Sequence, residues 1–95
     1  MFDIKPSSEN QVIISGRFDA AQVEKADLIF DKINNDCIID FQDLAYISSA
    51  GLGSLLKIHT RLKSGGYTVK LKNLNKHVRE VFKYSGLDKV FTILE

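Results

Sequence analysis

Apolar positions along this chain switch between strand-like runs and helix-like spacing, and the switches lay out an order of elements. Residues 1–5 and 12–15 read as short strands, an antiparallel pair divided by the polar turn Pro6-Ser7-Ser8-Glu9-Asn10. Val23, Ala26, Phe30 and Ile33 follow at intervals of three, four and three, which puts one apolar stripe on a helix. Asp19, with Gln22 three residues on, resembles a capping box at its start, and Asn34-Asn35-Asp36 ends it. Residues 37–41 form a short apolar strand carrying one acid, Asp40. A second helix is predicted over 50–63, with Leu52, Leu55, Leu56, His59 and Leu62 on or near one face, stopped by Ser64-Gly65-Gly66. Residues 67–71 alternate like a strand. Asn75 caps a third helix bearing Val78, Val81 and Phe82, Gly86 ends it, and residues 90–94 make a final strand.

The order β-β-α-β-α-β-α-β predicts an α/β domain over residues 1–95, with a mixed, mostly parallel sheet covered by helices. In such folds contacts with ligands and partners gather at the carboxyl ends of strands. Two segments fall there on this reading, 16–19 and 42–51. Asp19 and Asp40 are expected beside the second of them. Asp19 serves as a helix cap or a partner contact, and Asp40, if buried, braces the loop through a hydrogen bond.

Composition narrows the function. The apolar fraction of 44% and charged fraction of 26% are those of an ordinary globular domain. At 95 residues the chain should bury roughly 60–65% of its unfolded surface, enough for one core. Thirteen basic and twelve acidic residues leave a charge of +1, which gives no broad footprint for nucleic acid or an anionic membrane. The second half is the more basic, but its lysines and arginines are scattered along polar faces. Cys37, the single cysteine, opens an apolar run and reads as a buried structural thiol. The start of the chain lacks a basic segment leading into an apolar one, and no run of 18 apolar residues occurs. A cytoplasmic protein without membrane insertion is expected.

The chemistry concentrates in Asp40-Phe41-Gln42-Asp43-Leu44-Ala45-Tyr46-Ile47-Ser48-Ser49-Ala50-Gly51-Leu52-Gly53. Two serines stand immediately before a helix whose first turn holds two glycines, each costing about 1 kcal/mol relative to alanine. Close approach by another molecule would explain a backbone left unshielded there. The plainer reading is a serine N-cap with no further role. Enzymatic chemistry finds no footing. Gly51-x-Gly53 lacks the third glycine of a dinucleotide fingerprint, no P-loop follows, and Ser49 is not in a nucleophile elbow. His59 reads as a core-edge imidazole and His77 as exposed. With one cysteine they make no recognisable metal site, so neither metal nor cofactor is expected.

The same stretch resembles the hallmark of STAS domains, named for sulfate transporters and anti-sigma factor antagonists. The pattern is an apolar strand ending in Asp or Asn, then Asp-Leu, an apolar pair, Asp-Ser-Ser/Thr-Gly-Leu-Gly and an amphipathic helix. Gly16-Arg17-Phe18-Asp19 is similar to the Gly-x-Leu/Phe-Asp after the family's early strand. Val78-Arg79-x-Val81-Phe82-x-x-Ser85-Gly86-Leu87 with Val90-Phe91-x-Ile93 is similar to its last helix and strand. The resemblance implies an anti-sigma factor antagonist whose first motif hydroxyl is phosphorylated by an anti-sigma factor serine kinase. Aligned on Gly51-Leu52-Gly53, that hydroxyl is Ser49. Ala50 replaces the family's second Ser/Thr, and Ser48 replaces its Asp, which makes Ser48 an alternative acceptor.

The implied partners are that kinase and a PP2C-type serine phosphatase, met through Asp19, Ser48, Ser49, Ala50, Gly51, Leu52 and Gly53. If Ser49 is the cap of the second helix, phosphate there adds about −1.5 to −2 charges beside free backbone N–H groups. Two other readings stand beside this one. The chain could be a phosphorylation-independent STAS subunit of a lipid-transport or stress-sensing complex, or a small-molecule or nucleotide binder using the same loop.

Overall fold

The computed structural model describes residues 1–8 and 10–94. Five strands and three helices follow in the order β1 (Phe2–Ser8), β2 (Gln11–Phe18), α1 (Val23–Phe30), β3 (Cys37–Ile47), α2 (Ser49–Ser64), β4 (Val69–Lys72), α3 (Lys76–Ser85), β5 (Thr92–Leu94). They form one sheet in sequence order, β1-β2-β3-β4-β5. β1 pairs antiparallel with β2, and the other neighbours are parallel. This is the mixed, mostly parallel sheet that alternation of strands and helices dictates.

One sheet face is covered and the other is open. Phe2 and Ile4, Val12 and Ile14, and Val69 and Leu71 are buried, while Asp3, Lys5 and Lys70 between them are exposed. All three helices bury their stripes on the covered side. Ala26 and Phe30 of α1, Leu52, Leu55, Ile58 and Leu62 of α2, and Val78 and Phe82 of α3 join the inward strand residues in a single core. Phe82 meets both Phe41 and Phe91 edge-on, with centroids 5.9 and 5.8 Å apart. Cys37 lies in this core at the start of β3, and burial pushes its thiol up to about 11.

Several boundaries differ from the sequence reading. The Pro6 turn is later than predicted, because Pro6 still pairs with Val12 on the edge strand β1, where a missing N–H is tolerated. α1 is shorter than its stripe. A 3₁₀ turn, Ala20–Gln22, precedes it, and Ile33 lies beyond its end. Strand β4 begins at Val69, and β5 begins at Thr92 because a second 3₁₀ turn, Leu87–Lys89, takes up the preceding residues. The caps of α3 are as read. Asn75 accepts from the Val78 N–H at 2.8 Å, and Gly86 adopts φ +78°.

The largest correction concerns β3. It runs eleven residues, Cys37–Ile47, so most of the segment read as a loop is strand, made irregular by two register shifts against β2. Asp40 therefore lies within the strand, seven residues or roughly 23 Å below its end at Ile47, at about 3.3 Å per residue. It is buried and braces its own neighbourhood, accepting from the Gln42 N–H at 2.9 Å and the Asn73 amide at 3.0 Å. The brace is real, but it is not at the serines.

Candidate functional site

β2 and β3 end together, and their ends determine how α2 begins. Phe18 stands opposite Ile47, and the Phe18 carbonyl accepts the Ser48 N–H at 2.9 Å. Ser48 is extended, with φ −94° and ψ 173°, and its hydroxyl accepts the Gly51 N–H at 3.2 Å. Ser48, not Ser49, is thus the N-cap. An N-cap oxygen reaches the third helical amide, and counting back three from Gly51 gives Ser48. Ser49 is the first helical residue, exposed, and outside the capping bond.

The two glycines of the first turn are also unlike. Gly51 is buried, and a Cβ there would stand 2.7 Å from the Phe18 carbonyl oxygen and 2.9 Å from Ile47 Cγ1. Its bareness serves the close crossing of α2 over the strand ends. The expectation that both glycines stand open to another molecule is therefore corrected for Gly51. Gly53 is exposed, and a Cβ there would meet nothing within 4 Å. Nothing inside the fold requires glycine at that position.

Asp19 comes to the same end, one residue past Phe18. Its carboxylate accepts the Ala21 N–H at 3.2 Å and so caps the 3₁₀ turn. Asp19, Ser48, Ser49, Ala50, Gly51, Leu52 and Gly53 accordingly converge, with Gly51 and Leu52 facing the core and Ser49 and Gly53 facing out. The outward side of α2 continues through Leu56, Lys57, Thr60, Arg61 and Ser64, which line a shallow groove with Gly53.

Three contacts unforeseen in the sequence fasten α2 to α1. Ser54 donates to Asp27 Oδ1 at 2.6 Å, and Lys57 reaches Asp27 Oδ2 at the same distance. The bond to Asp27 holds the Lys57 ammonium above the ordinary lysine range. Arg61 donates to the Phe30 and Ile33 carbonyls at 2.9 and 2.7 Å and so closes the end of α1. The partners are about 27 to 31 residues apart in sequence, and no local spacing could have announced them.

His59 packs on Phe91, with ring centroids 4.9 Å apart, and His77 is exposed. Among the described residues no group of three His, Cys, Asp or Glu side chains is placed to hold a metal ion. No described helix is long and apolar enough to cross a membrane. A cavity of about 340 Å³ lined by Pro6, Val12, Ile29, Ile33 and Cys37, among others, lies at the opposite end of the sheet, where the parallel strands begin. It is lined by neither Asp19 nor any residue from Ser48 to Gly53.

Residues 10–95 match the STAS domain, and the chain belongs to that family. It is 36% identical over 74 residues to BtrV of Bordetella bronchiseptica, described as an anti-sigma factor antagonist, covering 78% of this chain. The chain spans 58% of the length of BtrV. It is 29% identical over 98 residues to the anti-sigma-B factor antagonist of Bacillus subtilis, covering 96% of this chain and 87% of that protein. Among solved structures, that of an anti-sigma factor antagonist from Thermotoga maritima superposes with a TM-score of 0.83 at 22% identity, over 99% of this chain and 86% of the other. The phosphorylated form of the Bacillus cell fate determinant SpoIIAA superposes with a TM-score of 0.70 at 22% identity, over the whole chain and 92% of the other. At that identity these structures speak for the fold.

Proposed function

We propose that this chain is a cytoplasmic anti-sigma factor antagonist that works as a switch. With Ser49 unmodified it binds an anti-sigma factor serine kinase and so frees a sigma factor. Phosphorylation of Ser49 by that kinase releases it, and a PP2C-type phosphatase resets it. One observation carries the reading: the Ser49 hydroxyl is exposed at the start of α2, while the adjacent Ser48 hydroxyl is engaged as the cap. That difference favours Ser49 over Ser48 as acceptor. The names of the relatives support the class of partner.

Phosphate on Ser49 would sit beside the positive end of α2, where an anion is favoured by about 0.3–1 kcal/mol. The fold therefore survives modification. The chain's charge of +1 falls by about 1.5 to 2, and the effect is felt by the partner through repulsion, desolvation and bulk. A penalty of about 3 kcal/mol weakens binding more than a hundredfold. The docking surface is the outward side of α2 from Ser49 past Gly53, together with Asp19.

The test is binding of wild type, Ser49→Ala and Ser49→Asp to the purified anti-sigma serine kinases of the source organism. Wild type and Ser49→Ala should bind alike, and Ser49→Asp at least tenfold more weakly. Equal affinities for all three would overturn the reading in favour of a subunit that needs no phosphorylation. Wild type incubated with kinase and ATP should gain one phosphate, located to Ser49 by peptide mass spectrometry.

A further inference from the structure

Arg17 is exposed at the end of β2, and its guanidinium carbon lies 4.2 Å from the centroid of the Tyr46 ring on β3. Backbone geometry sets this pairing. Gly16 takes φ +84°, the register shifts between Gly16 and Arg17, and Arg17 stands opposite Tyr46. A bulge of this kind re-aims the side chain that follows it. The next rung is Phe18 opposite Ile47, and Phe18 holds the Ser48 N–H. Phe18 and Ile47 face the core, so Arg17 and Tyr46 project to the open sheet face, directly across the rim from the start of α2.

The guanidinium makes no hydrogen bond and no ion pair among the described residues, although two acids lie close by in sequence and register. Asp19 is committed to the Ala21 N–H, and Asp43, exposed on β3 opposite Ser15, forms no ion pair with it. Arg17 is thus an exposed cation held over an aromatic ring, with no partner for its N–H donors among the described residues.

We infer that Arg17, stacked on Tyr46, is a specificity-determining contact that receives a carboxylate from the anti-sigma kinase. The inference rests on the function proposed above. It extends the docking surface over the rim, from the outward side of α2 to the edge of the open sheet. A partner close enough to sense Ser49 lies one rung from this pair. The planar fork matches a carboxylate with two parallel bonds, and stacking has already restricted it, so less freedom is lost on docking. Arg and Tyr are also the residue types that dominate binding energy at interface centres. The Gly-x-Phe-Asp pattern leaves this position open, so a charge here can separate partners while the fold is unchanged. An acidic counterpart is drawn in and a basic one repelled.

The experiment measures association of Arg17→Gln, Arg17→Glu, Arg17→Lys and Tyr46→Ala with the purified kinase at low and high salt, beside Ser49→Asp and urea midpoints for every variant. The inference expects Arg17→Gln to weaken binding about tenfold and Arg17→Glu about a hundredfold. The loss should fall largely in the association rate, and the salt dependence should flatten. Arg17→Lys should recover part of the affinity and Tyr46→Ala should lose less than Arg17→Glu, with urea midpoints near wild type throughout. If Arg17→Glu and Arg17→Gln bind as wild type while Ser49→Asp does not bind, the inference fails and the switch stands. If affinity falls only in step with the urea midpoint, or without any change in salt dependence, Arg17 is a structural residue and the inference is overturned. If Ser49→Asp also binds as wild type, the proposed function itself falls.

Discussion

The two sides of the first turn of α2 are built for different purposes, and the contrast is clearest between two glycines two residues apart. Gly51 is bare because the Phe18 carbonyl and the Ile47 side chain occupy the space a Cβ would take. Gly53 is bare with open space around it. One position is fixed by the fold and the other is not. A helix has one sequence but two environments, and residue type alone does not say which environment chose it. The sharpest way to break the contrast is to add the same methyl at both places. Gly51→Ala should lose about 2 kcal/mol, as overpacked sites do even after the gain in helix propensity. Gly53→Ala should gain about 1 kcal/mol from propensity alone, while weakening kinase docking. Urea midpoints read the first pair of effects. Equal midpoints for the two variants would mean that the crossing at Phe18 relaxes freely and that the two sides are not distinct.

A smaller effect divides the two serines in the same way. The Ser48 hydroxyl accepts the Gly51 N–H, and the Ser49 hydroxyl lies outside that bond. Ser48→Ala should lose about 1 kcal/mol as a removed cap, whereas Ser48→Asp should keep most of the stability, since a carboxylate caps as well. Ser49→Ala should leave the midpoint within about 0.5 kcal/mol of wild type, as exposed substitutions do. A large loss in Ser49→Ala with none in Ser48→Ala would exchange the two roles.

The element order was legible because it rests on spacing within short segments. Val23, Ala26 and Phe30 mark α1, Leu52, Leu55 and Leu62 mark α2, and Asn75 and Gly86 bound α3. The motif with its two serines was legible too, but which serine caps was not. Capping is decided by where the backbone leaves the strand, and β3 continues to Ile47 only because β2 pairs with it along its length. The same pairing moved Asp40 away from the serines. Asp27 with Ser54, Arg61 with the end of α1, and Arg17 with Tyr46 all depend on contacts across the chain that no local pattern encodes. The sequence thus displayed the chemistry of the site, while its division into an inward and an outward half came from tertiary structure.

His59 lies on the boundary between the two sides of α2, and the smallest of the expected effects comes from there. It is half-buried, packs on Phe91, and its Nδ1 finds no hydrogen-bond partner among the described residues. Burial, with the Lys63 ammonium one turn further along, pushes its pKa below the ordinary 6.5. The folded chain therefore gives up this proton more readily than the unfolded chain. In the interval between the folded value and 6.5, the unfolded state binds more protons, so stability rises with pH there. The contribution is fully present above 6.5 and is lost as pH falls through the folded value. Urea midpoints taken from pH 7.5 down to 5 should decline for the wild type and decline less for His59→Gln. An identical decline in His59→Gln and wild type would assign the pH dependence to other groups and place His59 wholly on the outward, solvated side of the helix.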